Sequence, residues 1–281
     1  MKQFKLADAD SLEESDVVIL GVPTDLGAMS ERKGRFKAPD KIREISKFLY
    51  DPERGKIDEK IFDAGNLNQS SEDIRENLKE IEEKITELAK KNKKMIVLGG
   101  DCSIKYGICR GLNNLNKKIG IIYFDSHPDF VESDIPNYGS VMADSIKLGN
   151  VDPKGCIILG IRNIEDREIK AMNANKVAFL TALDIKEIGL DETIKKINDI
   201  ISKADIVQLS IDLDSIDPAF APGVGLPCPG GLTSIEILYL LKGITKSKIY
   251  TLDLTEYIPD FDFNDTTAQL ACRIVQEFLS K

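Results

Sequence analysis

Seven short apolar runs recur along this chain, separated by longer polar stretches, and that spacing leaves few folds open. They are Val17 to Leu20, Met95 to Leu98, Ile119 to Phe124, Cys156 to Leu159, Val177 to Leu180, Ile206 to Leu209 and Ile249 to Leu252. Runs apolar at consecutive positions belong to strands covered on both faces, as in a parallel sheet with helices between its strands. Helices are predicted at 39–49, where Pro39 sits in the first turn and Ile42, Ile45 and Leu49 form one stripe, and at 71–91, behind a Ser-Ser-Glu-Asp start. Two more are predicted at 233–242 and 266–279. Strand and helix alternate, so an α/β fold is expected, with seven strands as a floor. No repeat, low-complexity stretch or Pro/Ser-rich linker divides the chain, and residues 1–281 read as a single domain.

Composition narrows the function. Thirty-eight Lys and Arg against 47 Asp and Glu give a formal charge of -9, which disfavours a nucleic-acid partner and, if focused in a cleft, favours cationic ligands. No apolar run approaches the roughly 18 to 20 residues of a membrane span, and the first residues lack the apolar segment of a secretory signal, so a cytoplasmic protein with no membrane partner is expected. Five cysteines without a CxxC pair suit a reducing compartment. A single histidine, His127, excludes any mechanism that needs a histidine pair. A hydrolytic site here must lean on carboxylates.

In open α/β sheets ligands bind beyond the carboxyl ends of the strands, and four strand ends in this chain present acids. They are Gly99-Gly100-Asp101-Cys102-Ser103, Asp125-Ser126-His127-Pro128-Asp129, Asp212-Leu213-Asp214 and Asp253-Leu254-Thr255-Glu256. Asp125, His127 and Asp129 alternate at a spacing of two and would share a face in extended backbone, as would Asp212 and Asp214. Four carboxylates and one imidazole converging on a cleft would repel one another unless cations joined them. Two divalent metals would cancel the four charges, and an oxygen-rich donor set with one nitrogen suits Mn(II). Paired metals activate water for hydrolysis at neutral pH.

With these motifs in order, the chain resembles the ureohydrolase family of arginase, agmatinase and formimidoylglutamase over almost its whole length. The residues from Val18 to Pro23, with Asp25 and Gly27, then Gly34-Arg35, Ala38-Pro39 and Ile42-Arg43, resemble the family's first strand and helix. Gly99 to Ser103 resembles its GGDHS motif, Asp125 to Asp129 its DAHxD motif and Ser210 to Pro218 its SxDxDxxDP motif. The segment from Pro222 to Thr233 resembles the glycine-rich substrate loop, and Glu256 falls where the family keeps a guanidinium-binding carboxylate. The resemblance implies a three-layer αβα sandwich around a central, mostly parallel sheet.

It also implies two Mn(II) ions per subunit, bridged by Asp125 and Asp212. Asp129 and the residue at 102 would complete one ion, and His127 and Asp214 the other. A bridging hydroxide would attack the guanidinium carbon, Asp129 would pass a proton to the leaving amine, and Glu256 would hold the cationic guanidino substrate. Homo-oligomers, trimers or hexamers, are implied as well. Two positions depart from the pattern: Cys102 replaces the GGDHS histidine, and Tyr138-Gly139 stands where many members have His-Gly, which puts Tyr138 beside the substrate. Arginases resembled here carry an Asn two residues after DAHxD to read the substrate carboxylate, whereas this chain has Val131 followed by Glu132. Agmatine is therefore the expected substrate. The alternatives are another guanidino or formimino compound, or a degenerate member without activity.

Overall fold

In the computed structural model, which describes residues 3–52, 55–69 and 71–280, eight strands join one sheet in which every neighbouring pair runs parallel. They are β1 (Val17–Val22), β2 (Ile61–Asn66), β3 (Lys94–Gly99), β4 (Ile119–Phe124), β5 (Val151–Ile161), β6 (Ala178–Thr181), β7 (Ile206–Asp212) and β8 (Ile249–Thr255). Nine α-helices among the described residues cover it: α1 (Ala38–Ser46), α2 (Ile74–Lys90), α3 (Ile104–Asn113), α4 (Val141–Ser145), α5 (Asp166–Asn175), α6 (Ala182–Ile188), α7 (Leu190–Ile201), α8 (Ser234–Gly243) and α9 (Thr266–Leu279). None of the described helices is long and apolar enough to cross a membrane.

The layering follows from the pleat. Along β4, Ile122 and Phe124 enter the core shared with α1 and α6 to α9, while Ile121 and Tyr123 enter the opposite core, shared with α2 to α5. The result is the expected three-layer αβα sandwich, with a sheet parallel throughout.

The seven predicted strands are all present, and β2 is the eighth. Its sequence, IFDAGN, hides it, because the strand lies at the sheet edge and buries Asp63 along with Ile61. Asp63 is tolerated there because Arg43 of α1 reaches it through Nε at 2.9 Å and Nη2 at 2.9 Å, with both side chains buried. The four predicted helices correspond to α1, α2, α8 and α9; α2 starts at Ile74 because Asp73 caps it by accepting the Arg75 N–H. Helices α3 to α7 were not singled out from the sequence. In α3 the helix-weakening residues Gly107 and Gly111 let it lie close against α2, since a Cβ on Gly111 would stand 2.6 Å from Ile85 Cβ.

Strand order decides where the motifs meet. The sheet runs β2-β1-β3-β8-β7-β4-β5-β6, so the chain leaves β3 through α3 and re-enters three strands further on, at β4, with β8 and β7 in between. The four strands that end in acids, β3, β8, β7 and β4, are consecutive neighbours, and their carboxyl ends form one floor.

Candidate metal centre

Asp125 follows the last residue of β4, and its backbone N–H is fixed by the Leu159 carbonyl of β5. Its two oxygens face different neighbours. Oδ1 accepts the His127 N–H at 2.7 Å and lies 3.3 Å from His127 Nδ1, whereas Oδ2 faces the ammonium of Lys105 at 3.4 Å. Asp212 closes β7; its Oδ1 accepts the Asp214 N–H at 3.0 Å, and its Oδ2 takes Lys105 Nζ at 3.2 Å and the Thr255 hydroxyl at 3.2 Å. Asp214 lies in a 3-10 turn, Leu213–Ser215, and its Oδ2 stands 3.3 Å from His127 Nδ1.

The two DxD spacings do not act through extended backbone. Strand β4 ends before Asp125, and Asp129 has φ +51°, the left-handed region that costs a non-glycine residue of order 1–3 kcal/mol. That backbone turn sends Asp129 toward Cys102 while His127 turns toward Asp214. Glu256 carries the same kind of strain, at φ +69°.

Three groups of donor atoms lie within 4.8 Å of one another: Asp125, His127 and Asp214; Cys102, Asp125 and Asp129; and Cys102, Asp212 and Glu256. All of these side chains except His127 are buried. The first group fits a divalent ion. Burial alone would lower the His127 pKa, but hydrogen bonds to Asp125 and Asp214 raise it to about 12. Burial raises Asp214 and the His127 contact outweighs that, bringing it to about 2. His127 Nδ1 thus faces two carboxylates at 3.3 Å each, a point where an oxygen-rich, one-nitrogen set would hold a divalent cation.

The second group is already engaged. The single S–H of Cys102 has two acceptors in reach, Asp129 Oδ2 at 3.5 Å and the Tyr138 carbonyl at 3.4 Å, and the Tyr123 hydroxyl donates to Asp129 Oδ2. Burial, reinforced by Asp129, pushes the Cys102 thiol well above its usual range, and burial with Asp125 raises Asp129 likewise. Lys105, one helical turn beyond Cys102, supplies the cation there. Its Nζ lies 4.2 Å from the centroid of the Tyr123 ring as well as against Asp125 and Asp212. Burial disfavours its charge, but the carboxylates of Asp212 first and then Asp125 raise it well above its usual range. This residue did not emerge from the sequence; the readable signal was an i, i+3 spacing from Cys102 at a helix start.

Glu256, directly after the last residue of β8, already holds a guanidinium. Arg35 Nε donates to its Oε2 at 2.5 Å, and the Cys102 N–H donates to Oε1 at 3.0 Å. Arg35 is fully buried and also pairs with Asp25 at 3.3 Å. Gly225 in the glycine-rich loop makes room for it, because a Cβ there would stand 1.9 Å from Arg35 Nη2. Burial raises Glu256 to about 7 in spite of Arg35. Tyr138 is partly buried beside the cluster, with burial and then Glu256 raising its phenol.

A cleft of about 690 Å³ opens over His127, lined by Met29, Glu31, Arg32, Asn163 and Leu226 among others. Glu132 is not part of that lining and lies 3.8 Å from Lys147 with 86% of its side chain exposed, so the acid at the cleft is Glu31.

A family model described as the Arginase family matches residues 15–280. An agmatinase from Neisseria meningitidis serogroup C is 32% identical over 273 residues, covering 94% of this chain and 86% of the relative. Among solved structures, agmatine ureohydrolase of Thermoplasma volcanium superposes with a TM-score of 0.86 at 29% identity, over 99% of this chain and 93% of the other. Proclavaminate amidino hydrolase from Streptomyces clavuligerus does so with a TM-score of 0.90 at 28% identity, over 99% and 95%.

Proposed function

This chain belongs to the arginase family, and from that premise we propose that it is a metal-dependent hydrolase of linear amidines, acting on agmatine to give putrescine and urea. The observation that carries the reading is the convergence of Asp125, His127, Asp212, Asp214 and Glu256 from the ends of three adjacent strands. A divalent ion, Mn(II) by its fit to the donors, would supply an activated water at neutral pH. Asp125, His127 and Asp214 would hold it, and Asp212, hydrogen-bonded to the Asp214 N–H, would fix the turn that presents Asp214.

The protein's own groups account for the remaining steps. Glu256 offers the substrate guanidinium the carboxylate on which Arg35 already rests, and Arg35 orients that carboxylate and favours its charged form against burial. Asp129, raised by burial and by Asp125, is suited to carry a proton to the leaving amine. Tyr138 flanks the guanidinium position. Agmatine is favoured by the agmatinase name of the Neisseria meningitidis relative, by Val131 in place of a carboxylate-reading Asn, and by Glu31 in the cleft, where an acid would meet the terminal ammonium.

Urea release from agmatine, arginine and guanidinobutyrate by the Mn(II)-loaded protein tests this, with ammonia and formamide from formiminoglutamate followed in parallel. Agmatine should be preferred. Preference for arginine would overturn the substrate, and no product from any compound would make the chain a degenerate member. Assembly into trimers or hexamers and a cytoplasmic location belong to the same proposal; light scattering checks the first.

Replacing Glu256 by Gln is expected to lower kcat/KM roughly 10²-fold, about 3 kcal/mol for a buried charge pair lost on one side, with metal content unchanged. Loss of metal in that variant would place Glu256 among the ligands instead.

A further inference from the structure

We propose that the Lys105 ammonium takes the place of the second metal ion, so that each chain holds one divalent ion, between Asp125, His127 and Asp214. This rests on the reading of the cluster as a metal centre. The two carboxylates that the family resemblance makes bridging are the two that Lys105 Nζ contacts, Asp125 Oδ2 at 3.4 Å and Asp212 Oδ2 at 3.2 Å. The other oxygen of Asp125 faces His127. Asp125 is thus shared between an imidazole side, open to an ion, and an ammonium side, filled by the protein.

The substitution at Cys102 fits the same exchange. Where the resemblance implies a histidine ligand, the Cys102 sulfur faces Asp129 Oδ2 at 3.5 Å and the Tyr138 carbonyl at 3.4 Å. One turn later on α3 the chain supplies a cation that needs no ligand from position 102. That ammonium is held in place: Lys105 is 1% exposed, lies over the Tyr123 ring, and its carbonyl accepts from Gln208 Nε2 at 3.1 Å. A divalent ion on the same two oxygens would stand within a few ångströms of it, like charge against like charge with little water between to screen them. One divalent ion and one ammonium leave Asp125, Asp129, Asp212 and Asp214 with a single excess negative charge, which a cationic substrate would balance.

The test is metal stoichiometry, read without turnover. The full-length protein is equilibrated with excess Mn(II), desalted, and its manganese counted per chain by plasma mass spectrometry, with electron paramagnetic resonance to separate isolated from exchange-coupled ions. One ion per chain with an isolated-ion spectrum is expected. Lys105→Thr combined with Cys102→His should then double the manganese and give an exchange-coupled spectrum, while Lys105→Thr alone should admit a second ion only at higher Mn(II). Two tightly held ions in the unaltered protein would overturn the role of Lys105 and leave the metal centre standing. No ion retained, with His127→Ala indistinguishable from the parent, would overturn the metal centre itself. A double variant that folds, by circular dichroism, and still retains one ion would show that Lys105 is not what excludes the second.

Discussion

Asp212→Asn is expected to cost at least about 10³-fold in kcat/KM, the several kcal/mol that a metal-activated water contributes, together with most of the bound metal. Asp212 is buried at the end of β7, and its carboxylate joins both halves of the site: one oxygen receives the Asp214 N–H, the other the Lys105 ammonium and the Thr255 hydroxyl. An amide of the same shape has one acceptor oxygen. Its NH₂ must face either the Asp214 N–H or the Lys105 ammonium, donor against donor in a dry site. The first arrangement releases the turn that presents Asp214, and the second frees the ammonium. Because the side chain keeps its volume, the fold should survive, so circular dichroism should match the parent while metal content and urea release fall together. Activity within tenfold of the parent would remove Asp212 from the working centre.

Arg43→Met is expected to destabilise the protein by about 3–5 kcal/mol, the cost of breaking a buried ion pair on one side. That is a large part of the roughly 5–15 kcal/mol by which a folded domain is stable. Arg43 reaches from α1 to edge strand β2, donating to both oxygens of Asp63, to Asn66 Oδ1 at 2.5 Å and to the Gly65 carbonyl at 3.0 Å. Asp63 in turn accepts the N–H groups of Phe4 at 2.7 Å and Gly65 at 3.0 Å. Methionine fills much of the space but leaves the Asp63 carboxylate buried without a counter-charge. Urea denaturation should show a lower midpoint with little change in slope, and the metal centre, at the other strands, should keep its stoichiometry. A loss below 1 kcal/mol would mean that water reaches Asp63.

The residues of the site were largely legible before the fold because each lies in a local pattern, an acid just past an apolar run. Lys105 and the partner of Glu256 were not. Lys105 sits in a helix whose two glycines obscure it, and a buried lysine reads in sequence like any solvated one until its surroundings are known. Arg35 stood in a motif, but a guanidinium that meets Glu256 from 221 residues away has no local signature. The spacing of two in Asp125, His127 and Asp129 suggested a common face; the positive φ at Asp129 divides it.

The sequence alone therefore determined what short-range physics can encode: which segments are strands buried on both faces, where they end, and that acids follow four of them. Tertiary structure decided which ends are neighbours, because strand order depends on how α3 carries the chain past β8 and β7 before β4. It also decided the charge balance of the centre, because the strength of a carboxylate, an imidazole or an ammonium depends on which other charges share its low-dielectric surroundings.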